Sequence, residues 1–182
     1  MLDEQIRDYA KDKAFHPQTL QRWLSWDEPD RAALFRLAIG LKIGENHLRD
    51  LMNWLEEIAL RDQTKIHEIF ARKNLAETET DPRLGRADKI KRIKEQVRRL
   101  RFPRLAHLED SVRMHIQELE LHPGIKLSVA PGLEGGRLRA EFDAASQNEF
   151  RNLVGKLAAA AGTDSIRQIF ALLAGEASEQ NA

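Results

Sequence analysis

Asn46, His47, Arg49, Asp50 and Asn53 share the outward arc of a helix that the sequence predicts from Glu45 onward. Asn and Arg side chains are suited to hydrogen-bonding base edges in a DNA groove. A second set, Lys91, Arg92, Lys94, Arg98 and Arg99, lies in ADKIKRIKEQVRRLRF, whose Ile90, Ile93, Val97 and Leu100 recur at helical spacing. Cations opposite an apolar stripe are suited to phosphates, although a merely solvated face gives the same pattern. Asn46, His47 and Arg49 are therefore candidate base-reading residues, and the five cations are candidate phosphate contacts. Glu56 and Glu57 follow on the first helix, where carboxylates would repel phosphate. The geometry points to a DNA reader and the electrostatics to a poor one.

Catalytic chemistry has no comparable set. The six histidines (His16, His47, His67, His107, His115 and His122) form neither HExxH nor another ligand spacing. His115 and His122 lack a carboxylate or Cys companion at metal-site spacing, so ordinary surface or packed histidines are expected. Neither GxxxxGK[ST] nor GxGxxG occurs, and PGLEGGR lies between two strand patterns, as a hairpin loop does. No catalytic, metal or cofactor-binding residue is expected.

The elements that must hold the first set centre on Leu37–Leu51, LAIGLKIGENHLRDL. Ala38 lets two helices approach closely, Leu37 and Leu41 pack one turn apart, Ile43 plugs the corner, and Leu48 and Leu51 return the second helix to the core. Gly44 falls where a tight turn or cap is expected. Lys42 stands where the usual turn glycine would be. This distribution fits a helix-turn-helix; two ordinary packed helices with a short connection would share it.

Before that unit, 3–13 reads as a short helix with Ile6, Tyr9 and Ala10 inward. Pro17 opens another with Leu20, Trp23 and Leu24 on one face, and Asp27 is a candidate N-cap ahead of Pro29. Trp23, Trp26 and Trp54 read as core at their helical spacing, rather than as platforms for bases. After it, Thr64 is a candidate cap for KIHEIFARKNL, a short match to the later SIRQIFALL. The stretch 76–86, AETETDPRLGR, combines Thr, Pro and Gly without apolar periodicity and is the expected boundary.

Past Pro103, Leu105, Leu108, Val112, Ile116 and Leu119 approach heptad spacing. The period then shortens to two: IKLSVA at 125–130 and RLRAEF at 137–142 each read as a strand with one buried face. Ser146 with Glu149 is a capping-box signature for a helix to about Ala161, with Phe150, Leu153, Val154 and Leu157 inward. Thr163 or Asp164 caps a last helix, and GEASEQNA reads as a loose tail.

Composition narrows the class. The chain has 182 residues, 42% hydrophobic and 32% charged, without cysteine and without an apolar run long enough for a bilayer, so disulfides, thiolate metal sites and membrane residence are not expected. MLDEQIRDYAKDK is charged almost from its start, unlike a signal peptide, and a soluble cytoplasmic protein is expected. The net charge of zero conceals a pattern. Residues 1–80 carry 12 basic and 15 acidic side chains, 81–113 carry 11 and 5, and 114–182 carry 6 and 9. Such a local basic block bears more on nucleic acid than the average does.

The stretch from Leu105 to Ala161 resembles the carboxy-terminal dimerisation domain of ParB-type chromosome and plasmid partition proteins, through IKLSVA, EGGRLRAEF and FRNLVGKL. Arg31 to Leu75 is similar in position to that family's helix-turn-helix domain. The family's GERR-type motif is absent here. Glu45, Asn46 and Arg49 spell its ENxxR motif but fall inside the expected helix-turn-helix, so CTP switching is not implied.

What the resemblance implies is a mainly α fold with a small β-hairpin. A helical, helix-turn-helix-like domain at 1–78 is followed by a linker and basic helix at 79–104, an αββα dimerisation domain at 105–175 and a tail at 176–182. It implies a non-catalytic bacterial homodimer that binds double-stranded DNA, lies at the nucleoid, and has a partition ATPase or another protein as a further partner. An adaptor or scaffold dimer using the same helical unit for protein contacts is the alternative.

Overall fold

The structure, a computed structural model, describes residues 1–175 and, at Lys73, the backbone alone. The expected tail at 176–182 lies outside the described residues. The protein is mainly helical with one small antiparallel sheet of two strands. It divides into two units, Met1–Phe102 and Pro103–Ala182.

The first unit holds seven helices among the described residues: α1 (Leu2–Asp12), α2 (Pro17–Leu24), α3 (Glu28–Leu41), α4 (Glu45–Asp62), α5 (Ile66–Phe70), α6 (Lys73–Thr80) and α7 (Arg86–Arg101). Their apolar faces meet in one core containing Ile6, Trp23, Leu34, Leu48, Leu55 and Ile58. Trp23 and Trp26 are buried and Trp54 half-buried, so none is a fully exposed stacking platform.

The turn joining α3 to α4 has three residues, Lys42, Ile43 and Gly44. Lys42 adopts the left-handed conformation, φ 48° and ψ 48°, while Gly44 is extended at the α4 N-cap. The residue bearing the turn's strain is thus Lys42 rather than Gly44. Ile43 is buried in the corner, and its N–H donates to the Ala38 carbonyl at 3.0 Å. The Tyr9 hydroxyl lies 2.8 Å from both the Ala38 and Ile43 carbonyl oxygens, so α1 fastens both sides of the turn. Its ring sits edge-on to Phe15, Trp23 and Phe35. Burial first, then the charge of Asp12, holds the phenol above its ordinary pKa of 10.0.

Two expectations change in the segment after α4. KIHEIFARKNL is two short helices, because the chain turns at Ala71 and Arg72 between α5 and α6. Thr64 does not cap α5 through a backbone N–H; its hydroxyl bonds Glu68, whose carboxylate also accepts from the Lys65 N–H at 3.0 Å. The expected boundary at 76–86 takes in the end of α6, with Thr78 buried, and the first residue of α7, so only 81–85 lie outside helices. Ile93 and Val97 of α7 lie in the first core, which makes the basic helix a member of that unit rather than a linker.

The second unit runs α8 (Pro103–Glu118), β1 (Lys126–Val129), β2 (Leu138–Glu141), α9 (Gln147–Ala161) and α10 (Asp164–Ala174). The strands pair antiparallel with Leu127 opposite Ala140 and Val129 opposite Leu138, which sets the apolar positions on one face. Val112, Ile169 and Leu172 form the buried centre, with Leu108, Ile116, Val129 and Leu138 packed around them.

The α9 cap is half as expected. The Ser146 hydroxyl accepts from the Glu149 N–H, but the Glu149 carboxylate accepts from Ala145 rather than Ser146. Of the four α9 residues expected inward, Leu153 is buried and Leu157 half-buried, whereas Phe150 is 51% and Val154 41% exposed. Leu153 packs so closely on Gly124 that a Cβ there would lie 3.1 Å from its Cδ2.

All three tryptophans lie in the first unit, so their fluorescence during urea unfolding reports on it. Leu55→Ala, at a fully buried position, is expected to cost about 2–5 kcal/mol there. Leu60→Ala, on the same helix but 83% exposed, is expected to change stability by less than about 0.5 kcal/mol.

Candidate functional site

Helix α7 packs beside α4, and a groove of about 710 Å³ opens between them and the Lys42–Gly44 turn. Trp54, Ala87 and Ile90 give it an apolar floor, and Lys42, His47, Arg86, Lys91, Lys94 and Arg98 surround that floor with basic side chains. Among the described residues, Lys42, Arg86 and Lys91 have no ion-pair partner. Glu95, the acid at this edge, is engaged by a two-pronged contact from Arg98, at 2.8 and 2.7 Å.

Lys94 is held from three sides. Its ammonium lies 2.7 Å from the Asp50 carboxylate, 5.3 Å over the Trp54 ring and 3.4 Å from His47 Nδ1. An ammonium only donates, so in this contact His47 Nδ1 can act only as the acceptor.

The acids of α4 that would repel phosphate are each matched by a cation. Arg22 grips Glu56 through Nε at 3.0 Å and through Nη2, while its Nη1 donates to Asn53 Oδ1 at 2.6 Å. The Trp26 indole N–H donates to the same Glu56 at 2.7 Å. Arg101 grips Glu57 through Nε and, at 2.9 Å, through Nη2. The Arg22 guanidinium is held above its ordinary pKa first by its bond to Glu56.

Glu45 opens α4 and is anchored to the start of α2. It accepts from the Thr19 hydroxyl at 2.6 Å and the His16 N–H at 3.0 Å. These bonds, Thr19 first, hold its carboxyl below the ordinary value of 4.5. The Glu of the ENxxR triplet is therefore part of the framework joining α2 to α4.

The structure brings some of the sequence-predicted residues together and separates others. Asn46, His47 and Arg49 are exposed in the first turns of α4. Lys91, Lys94 and Arg98 line the groove. Helix geometry turns Arg92 and Arg99 to the other flank of α7. Arg92 faces Asp81, whose carboxyl is held at about 2, mainly by its hydrogen bonds from Arg83 and last by the Arg92 charge. The five cations do not form one face.

Lys42 and Arg86 join the groove although the sequence reading did not include them. Lys42 carried a signal, since a lysine at a left-handed turn position must project from the corner. Arg86 carried none, because the α7 N-terminus could not be located within AETETDPRLGR. Elsewhere His67 and His115 are structural: the former contacts Asp30 at 2.7 Å, and the latter contacts Glu118, which also accepts from Ser165. No helix among the described residues is long and apolar enough to cross a membrane.

No family model, curated protein or solved structure matches the chain.

The Glu45 anchor has a pH signature. Its folded pKa is depressed, so the stability it contributes is present above pH 4.5 and lost as pH falls through the folded value. Tryptophan-detected urea midpoints should fall more steeply on acidification in wild type than in Glu45→Gln. The gap between the two proteins should narrow below the ordinary glutamate value.

Proposed function

We propose that this protein is a non-catalytic, DNA-binding homodimer of the ParB partition type, whose first unit grips duplex DNA through the groove between α4 and α7. The carrying observation is the trio Lys42, Arg86 and Lys91, which borders the α4 N-terminus without an ion-pair partner among the described residues. These cations share the groove with His47, while Asn46 and Arg49 are exposed on the same helix outside its lining, so phosphate anchoring falls on the helix that carries the base-reading side chains. In this reading α3 and α4 are a helix-turn-helix with α4 as the helix presented to the DNA groove. The forks on Glu56 and Glu57 support it, because a carboxylate neutralised by a guanidinium repels phosphate less than a free one.

Binding to duplex DNA, followed by fluorescence anisotropy, should be steeply salt-dependent. Lys42→Ala, Arg86→Ala and Lys91→Ala together should flatten the slope of log affinity against log salt by roughly 2 to 3 per protomer. Arg92→Ala alone should leave the slope nearly unchanged, because Arg92 is on the other flank. Wild-type protein that ignores duplex DNA at low salt would defeat the reading in favour of an adaptor.

The homodimer is assigned to the second unit. Its two-stranded sheet is marginal by itself, and Phe150 and Val154 leave an apolar strip on α9. A second copy covers such a strip by presenting its own, in an isologous contact. Sedimentation should give a dimer at tens of micromolar for wild type and a monomer for Phe150→Glu with Val154→Glu. A wild-type monomer would remove the dimer from the proposal without touching the groove.

A further inference from the structure

Phosphate binding leaves the floor of the α4–α7 groove unexplained. Trp54, Ala87 and Ile90 lie between the cations, and a phosphodiester backbone has nothing apolar with which to cover them. A ligand that satisfies both features carries negative charge and an apolar face together.

We infer that the groove also docks an acidic, amphipathic helical segment of a protein partner. Its apolar side chains, one helical turn apart, seat on Trp54 and Ile90, and its carboxylates meet Lys42, Arg86 and Lys91. Helix-in-groove recognition works through anchors at i, i+3, i+4 and i+7. A volume of about 710 Å³ lies in the range of pockets that enclose a handful of side chains. Charge complementarity selects the acidic segment, because Lys42, Arg86 and Lys91 at the rim have no ion-pair partner among the described residues. Single-stranded nucleic acid fits less well, since such grooves stack successive bases on several aromatic rings. Among the described residues Trp54 is the aromatic of this groove, and Lys94 already lies over its ring. Docking stands independently of the DNA reading. One consequence rests on that reading: segment and duplex would need the same three cations and so would exclude each other.

The test uses the full chain and fluorescein-labelled, end-capped peptides of roughly 15 residues, about the length at which an isolated helix becomes viable. One carries Leu at i, i+3, i+4 and i+7 with Glu at most other positions. Its isomer has the same composition with Leu alternating, so charge is equal and helical amphipathicity is lost. An oligo-dT of similar length is the third probe.

The amphipathic peptide is expected to bind saturably and at least about tenfold tighter than its isomer, because only it covers the floor. Ala87→Gln adds a polar group to the floor at an exposed position and changes no charge. It should weaken the peptide by about tenfold and leave circular dichroism unchanged. Unlabelled amphipathic peptide should displace duplex DNA from wild type.

Equal binding of the two peptides, no peptide binding, indifference to Ala87→Gln, or oligo-dT binding that is lost in Ala87→Gln while the peptide is ignored would each overturn the docking. Peptide binding without duplex binding would leave the docking intact and remove only the DNA reading. Duplex binding without peptide binding would do the reverse.

Discussion

Helix α4 carries Asp50, Glu56 and Glu57 on its outer half, and each is answered by a cation from a neighbouring helix: Lys94, Arg22 and Arg101. Pairs as open as these are worth at most about 1 kcal/mol apiece, far less than burial of the Leu48–Ile58 stripe beneath them. Their effect is on placement. Arg22 is on α2 and Arg101 on α7, so two-pronged contacts help fix the helices on either side of α4 in register with it. The groove exists because α7 is held alongside α4, with Lys94 bridging Asp50, His47 and Trp54. Neutralising the acids consumes Lys94 and Arg101, which leaves Lys42, Arg86 and Lys91 as groove cations without an ion-pair partner among the described residues.

The same economy governs the turn. A left-handed lysine costs more than a glycine would, yet the Tyr9 hydroxyl engages two carbonyls around it, and buried Ile43 fills the corner. One hydroxyl hydrogen is shared between two acceptors, so the contact holds the turn's shape more than it lowers its energy. The Phe15, Trp23 and Phe35 rings around Tyr9 keep that hydroxyl in place. A residue only eight positions from the N-terminus thereby braces the start of α4. Placing Lys42 rather than Gly at the strained position also puts a charge at the rim of the groove.

Local periodicity carried most of the element order. The apolar spacing located α1, α3, α4 and α7, alternation located both strands, Pro17 and Ser146 marked helix starts, and Thr163, one of two candidates, is the cap of the last helix. The errors arose where long-range packing overrode local composition. AETETDPRLGR lacks an apolar repeat, yet its Thr78 is buried, like Leu75 just before it, because α7 folds back over α6, with Gln96 donating to Thr78 at 2.9 Å. Of the candidate site, Asn46, His47, Arg49 and the Lys91–Lys94–Arg98 row were legible, because helical spacing alone puts them on the surface. Which cations would be consumed by carboxylates was not legible, since Arg22–Glu56 and Arg101–Glu57 span more than thirty residues. Arg86 could be assigned to the groove only once the start of α7 was known.

The second unit shows why an apolar repeat does not name its own partner. The heptad-like face of α8 is what a coiled coil between two chains would use, but Leu108, Val112 and Ile116 are packed with Ile166, Ile169 and Leu172 of α10. The Val129–Leu138 pair of the hairpin rests on the same cluster, so α10 supports both the helix and the sheet. Helix α9 is left outside that arrangement, reaching inward through Leu153 and Ala160 while Phe150 and Val154 face outward. Phe150 touches Phe142 at 5.8 Å between ring centroids, which carries the apolar strip of α9 onto the end of the hairpin. The repeat with the stronger dimer signature is satisfied within the chain. The helix whose pattern predicted an inward face is the one that keeps apolar surface for something else.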